Sequence, residues 1–201
     1  MRHPVLAATT ALLGLLPLCA LGGAGSVAPE QAYARNDDLR SYTFSVDVAM
    51  AMHHFPWLHF HMRGVGDYER GTRYVVHFTH MPWFAPHQND IDLSMIDPQM
   101  WPQNYTEEVA GTRDGDTIYE LHALKDANLA RAQVAISPVN GTEWVDASYT
   151  DGTQIRMNVT SQPTDGFLLP SHISAEIGYP HMPLSANADF TDYAIGTDAA
   201  Q

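Results

Sequence analysis

Tyr42-Thr43-Phe44-Ser45-Val46-Asp47-Val48-Ala49-Met50-Ala51-Met52 is the stretch from which the architecture is read. Tyr42, Phe44, Val46, Val48, Met50 and Met52 are apolar, while Thr43, Ser45, Asp47, Ala49 and Ala51 fill the alternate positions. Successive side chains of an extended chain point to opposite faces, so this period of two predicts a β-strand with one apolar and one polar face. A helix would need apolar residues three and four apart, and that pattern is nearly absent from the chain.

The alternation continues outward from this strand. Residues 57–68 set Leu58, Phe60 and Met62 against Trp57, His59, His61 and Arg63, and Glu69-Arg70-Gly71 then turns the chain into residues 72–80. A hairpin is expected, with Tyr68 paired to Thr72 and His61 opposite Thr79. Between residues 81 and 105 the alternation stops, and Pro82, Pro86, Pro98 and Pro102 punctuate a stretch still rich in Trp83, Phe84, Met95, Ile96, Met100 and Trp101. Ordinary connections are shorter and polar, so this one predicts a packed lid, with a short helix near residues 96–105. Strand patterns resume at residues 117–124, 131–137, 143–150, 153–161, 167–179 and 186–195. Pro138-Val139-Asn140-Gly141, Asp151-Gly152 and Asp165-Gly166 supply turn residues that tolerate positive φ. The expectation is an antiparallel meander of roughly nine or ten strands.

The N-terminus sets the compartment. Arg2 and His3 precede an apolar run from Val5 to Leu21, too short and too broken by Gly14 and Pro17 for a spanning helix. Residues 1–34 therefore read as a signal peptide, cleaved after Ala32-Tyr33-Ala34, with Gly22-Gly23-Ala24 as second choice. The exported part, residues 35–201, has the size of one domain with a proper core. Cys19, the single cysteine, falls in the leader, so no disulfide or thiolate chemistry is expected after cleavage. With Lys+Arg 10 against Asp+Glu 23, the formal net charge of -13 argues against nucleic acid or anionic headgroups as general partners.

A sheet with one apolar face must cover it with another sheet, with itself, with helices or with a ligand. A strongly curved sheet closed by two short helical pieces satisfies the pattern, one before Ser41 and one in the residue 81–105 excursion; so does a closed barrel with a lipid-sized interior. The order of segments resembles the periplasmic lipoprotein carrier LolA and related cell-envelope lipid-binding proteins. The likeness lies in Ser41-Tyr42-Thr43-Phe44, the proline-bearing lid, Gly115-Asp116-Thr117-Ile118-Tyr119-Glu120-Leu121 and Tyr149-Thr150-Asp151-Gly152. It continues through Gly166-Phe167-Leu168-Leu169-Pro170 to Phe190-Thr191-Asp192-Tyr193, covering about residues 35–195. This resemblance implies a mainly β fold, a single curved antiparallel sheet forming a half-open β-barrel with short N-terminal and lid helical segments. It further implies a carrier without catalysis or cofactor, whose partners are lipid or lipoprotein acyl chains, with an envelope protein as a further partner. The chain differs in its short helical segments and its crowd of histidines.

Phe44, Val46, Val48, Met50, Leu58 and Phe60 are the candidate ligand-binding wall, with Trp83 and Trp101 gating access. Large, adaptable apolar side chains suit a greasy ligand, and the chain has 9 Met, 9 Tyr, 7 Phe and 4 Trp. The plainer reading is that Phe44, Val46, Val48 and Met50 form an ordinary packed core.

His59, His61 and His77 carry the rival reading, an extracytoplasmic metal-binding protein. Imidazoles two apart on a strand face the same way, as zinc sites in β proteins require, and the assumed hairpin register adds His77 to them. On a solvated face, histidine is equally an ordinary surface residue, and no metal is assigned. A third reading is an interaction module whose apolar face is plain core. No G-x-S-x-G, H-E-x-x-H, G-x-x-x-x-G-K-[ST] or G-x-G-x-x-G string occurs, so nothing points to an enzyme.

Overall fold

Wherever the sequence alternates, the chain is extended. The computed structural model describes residues 34–79, 90–180 and 182–196; the expected signal peptide as far as residue 33, Trp83 and the middle of the residue 81–105 excursion lie outside the described residues. The strands are β1 (Ser41–Met52), β2 (Phe55–Glu69), β3 (Arg73–Phe78), β4 (Asp90–Asp92), β5 (Tyr105–Arg113) and β6 (Asp116–Ala123). They continue as β7 (Leu129–Ser137), β8 (Gly141–Tyr149), β9 (Gln154–Thr164), β10 (Phe167–Tyr179) and β11 (Met182–Gly196). All join one antiparallel sheet in the order β4-β3-β2-β1-β11-β10-β9-β8-β7-β6-β5. Two-residue turns such as Asp165-Gly166 fix the hairpins, with φ of 51° and 89° as a type I′ turn requires.

The strand order dictates the curl. β4 and β5 are the two edges, yet they are consecutive in the chain and joined only by residues 93–104. Laid flat, eleven strands at about 4.8 Å spacing would hold those edges roughly 48 Å apart. The connection is wound into 3-10 turns at Ser94–Ile96 and Pro98–Met100 and a helical turn at Trp101–Asn104. At roughly 2 Å per residue it reaches only about half that distance. The sheet must therefore curve until its edges approach, and the connection bridges the gap across the concave side. β4 and β5 do not pair with each other, so the barrel stays half-open.

The apolar face lines this concavity. Tyr42, Phe44, Tyr68, Tyr74 and Phe190 are buried and mutually packed, with Phe44 and Phe190 ring centroids 5.4 Å apart and Tyr42 and Tyr68 stacked at 4.6 Å. Gly66 lies opposite Phe44, and a Cβ there would stand 1.8 Å from Phe44 Cζ, so only glycine lets the ring lie flat on the neighbouring strand. On the other side a bulge between Thr43 and Ser45 meets Asp192 at φ 53°, which turns Tyr193 inward to stack on Phe44 at 5.7 Å.

The lid is part of the core. Ile96, Met100 and Trp101 are buried, and Trp101 packs edge-on against Tyr119 of β6 at 5.6 Å while its indole N–H donates to Met95 O at 3.0 Å. Leu93 N–H donates to Tyr74 O (2.8 Å), Thr142 Oγ1 to Ile96 O (2.6 Å) and the Tyr68 hydroxyl to Gln99 Oε1 (3.1 Å). Those bonds tie the lid to strands on both arms of the sheet. At the N-terminal end Ala34–Asn36 forms a 3-10 turn, and the Asn36 amide exchanges two 2.8 Å hydrogen bonds with the Leu168 backbone.

Three expectations are corrected. Eleven strands replace nine or ten, because β4 and β5 are edge strands. β5 is exposed along nearly its whole length, so its residues carry no alternation to read. The β2–β3 hairpin pairs Tyr68 with Tyr74 rather than with Thr72, shifting the register by two residues. Finally, the closed barrel is excluded by the unpaired edges.

Candidate functional site

Strand parity puts the whole inner wall on one face, but burial divides that wall into two environments. Phe44 (2% exposed), Val46 (2%) and Val48 (7%) are packed core, and Trp101 (1%) is part of the lid's own filling. The void between Asn36, Leu39, Tyr42, Tyr74, Ile96 and Asp97 measures ≈ 10 Å³, about the least that holds one water. This end is filled by its own side chains.

Farther along the strands one stretch of the wall is less covered. Register places Phe60, Met50, Ala186, Ala175, Met157 and Val145 in one continuous row across β2, β1, β11, β10, β9 and β8. All but Val145 are only half-buried. The next row toward the hairpin tips contains Met52 (7% exposed), Leu184 (6%) and Ala147 (1%), which are buried, and Ile177 and Ile155, which are half-buried. Two alanines at the centre of the first row leave depth, and the flanking methionines and Phe60 can shift rotamer around a guest. The row is apolar and mostly half-buried, with Met50, Met157 and Ala186 packed against the edge of the buried core. Leu58 is half-buried beside it on β2.

The β1–β2 and β10–β11 tips lie together, with His53 N–H donating to Pro183 O at 3.0 Å. They carry the exposed aromatics Trp57 (78%), Phe55 (45%) and Tyr179 (40%), and the Phe55 and Trp57 rings touch edge-on at 5.6 Å. These aromatics form an exposed cluster at the tips.

Thus Met50, Leu58 and Phe60 are half-buried, whereas Phe44, Val46, Val48 and Trp101 are buried. Ala175, Ala186, Met157, Ile155 and Ile177 are half-buried on the same face. Ile173-Ser174-Ala175-Glu176-Ile177 and Leu184-Ser185-Ala186-Asn187-Ala188 carry the same alternation as β1, so parity was the signal for them.

One ionisable group is sealed beneath the lid. Asp97 is buried and accepts a 2.9 Å hydrogen bond from Gln99 N–H, capping the second 3-10 turn. Desolvation pushes its carboxyl up to about 6, against the opposing effects of the Gln99 backbone bond, the Tyr68 hydroxyl and Arg70.

The histidine trio is not assembled. His61 sits opposite Ala49 and His59 opposite Ala51, while His77 pairs with Val65, displaced along the sheet by the corrected register. His77 Nδ1 lies 2.7 Å from Asp90 Oδ1. His53, His122 and His172 likewise face Glu176, Glu108 and Asp189, so these imidazoles act as surface partners of carboxylates. Among the described residues, the one metal-type grouping is Glu108, Glu120 and His122 on the exposed β5–β6 edge. There Glu120 is already neutralised by Arg131 at 3.3 Å.

No protein-family model matches the chain, and neither does any curated protein sequence. Solved structures do match. A LolA superfamily protein from Nitrosomonas europaea superposes with a TM-score of 0.59 at 12% identity, over 86% of this chain and 95% of that one. A DUF1329 family protein from Desulfovibrio piger gives 0.58 at 9% identity, over 86% and 93%. A putative outer membrane lipoprotein-sorting protein domain from Vibrio parahaemolyticus gives 0.58 at 8% identity, over 86% and 92%. The chain has the LolA-type fold. Among the described residues no helix is long and apolar enough to cross a membrane.

Proposed function

We propose that this chain is an exported, non-enzymatic carrier that binds a lipid or a lipid-modified protein along the half-buried stretch of its inner wall. The observation that carries the reading is the row Phe60, Met50, Ala186, Ala175 and Met157, apolar and only half-covered, in a fold shared with a putative outer membrane lipoprotein-sorting protein domain. Each methylene taken from water gains about 0.8 kcal/mol, so an acyl chain hidden there gains on the order of 10 kcal/mol. Residues 1–34 would direct export and residues 35–201 would form the working domain, in the periplasm or outside the cell. The net charge of -13 keeps such a protein dispersed.

Native mass spectrometry of the protein purified from its own envelope tests this. A co-purifying acyl lipid is expected, and it should be lost on Ala186→Trp, which crowds the row, and on Met157→Glu, which charges it. Lipid retained unchanged by both folded variants would refute the row as the binding site.

A further inference from the structure

A wide depression lies on the opposite, polar face of the sheet. It measures ≈ 810 Å³ and spans β8 to β11, with Arg113, Asp114 and Asp116 of the β5–β6 hairpin at one side. Its floor is set by register: Trp144, Asn158, Ser174 and Asn187 form one cross-strand row, and Asp146, Arg156, Glu176 and Ser185 form the next. Beyond Asn187 and Ser185 the rows run on through Ala49 and Ala51 of β1, small side chains that leave the groove open there, to His61 and His59 of β2.

The charged groups here are already matched. Asp146 lies 3.2 Å from Arg156, Asp114 lies 3.5 Å from Arg113 and Glu176 lies 3.3 Å from His53. Glu143 accepts a 2.8 Å hydrogen bond from Asn140, and Asp116 is bonded by Ser137. Carboxylates outnumber guanidinium groups among the lining residues, so an anionic ligand would be repelled. What remains uncommitted is neutral: among the described residues, Asn158, Ser174, Asn187 and Ser185 make no side-chain hydrogen bond to protein. Beside them stands the half-buried indole of Trp144.

From this division we infer that the outer groove binds a neutral oligosaccharide. A pyranose presents C–H bonds on its flat face, which suit the negative face of an indole, and hydroxyls at its rim, which suit amides that both donate and accept. Adjacent strands are about 4.8 Å apart, close to the length of one sugar unit, so the row from Trp144 to Asn187 spans about three units. An acyl chain has no use for the row's amides; the lining also includes Val145, Met157, Ala175 and Ala186, which lie between the two polar rows and turn their side chains to the other face of the sheet.

The test is titration of the full chain with neutral tetrasaccharides of β-1,4-linked glucose, β-1,4-linked N-acetylglucosamine and α-1,4-linked glucose, read by tryptophan fluorescence and calorimetry. At least one should bind with a signal insensitive to salt. Trp144→Ala and the Asn158→Ala, Asn187→Ala pair should each weaken it by tenfold or more, Trp144→Phe by far less, and His172→Ala not at all. Absence of binding by all three sugars at millimolar concentration would overturn the inference, as would affinity unchanged by folded Trp144→Ala. Salt-sensitive binding of an octalysine peptide with no sugar binding would instead make the groove a site for basic peptides. None of these outcomes depends on lipid content, so the carrier reading stands or falls separately.

Discussion

β1 runs through two environments, and the contrast between its ends separates core from candidate site. At Phe44 and Val46 the strand is buried, Phe44 among four neighbouring rings; at Met50, six residues beyond Phe44, the same face is half-buried. Alternation is identical at both ends. Periodicity thus identifies which face is apolar, while only the cover decides whether that face is core or binding wall.

Truncation should expose the difference most strongly. Phe44→Ala would leave a cavity among four packed rings and Gly66, with an expected loss of about 3–5 kcal/mol in chemical denaturation. Met50→Ala at the half-buried end should cost only about 1–2 kcal/mol, since less surface is buried. Equal losses would mean that the two ends are not distinct.

Asp97 sharpens the comparison through pH. Its folded-state carboxyl titrates at about 6, above the ordinary carboxylate value of 3.8, so the folded chain binds this proton more tightly than the unfolded one. The associated stability is fully present below pH 3.8 and is lost as pH rises through about 6. The change is on the order of 3 kcal/mol. Asp97→Asn keeps an oxygen acceptor for the Gln99 N–H without the charge. It should flatten the stability profile between pH 4 and 6 and raise stability at pH 8, as thermal or urea unfolding would measure. A wild-type profile without that slope would show that the lid end is wetter than described.

The smallest effect is expected outside the concavity altogether. His77 and Asp90 are each more than half exposed, so His77→Ala should change stability by no more than about 1 kcal/mol. Equilibrium dialysis should find zinc binding unaltered by that substitution, because His77 is displaced along the sheet from His59 and His61.

Much of this was legible in the chain. β10 falls on residues 167–179 as its pattern predicts, β1 begins one residue earlier than expected, and the lid's helical turns occupy residues 94–104. The misses have a common cause. β5 has no buried face, so its sequence records no pairing; the β2–β3 register depends on where the turn tightens, which Glu69-Arg70-Gly71 leaves open by two residues. The half-buried row's alanines were visible as alternation, but a small residue on an inner face reads as filler until its neighbours across the strands are known.

The sequence by itself determined the face of each major strand, the turn positions and the acidic charge, because each is a property of a few consecutive residues. Tertiary structure alone decided that the edges β4 and β5 approach one another, that Phe44 is buried while Met50 is only half-buried, and that Trp144 joins Asn158, Ser174 and Asn187 in one row. Those facts follow from hydrogen-bond register and sheet curvature, which couple residues more than a hundred positions apart and leave no local periodicity to read.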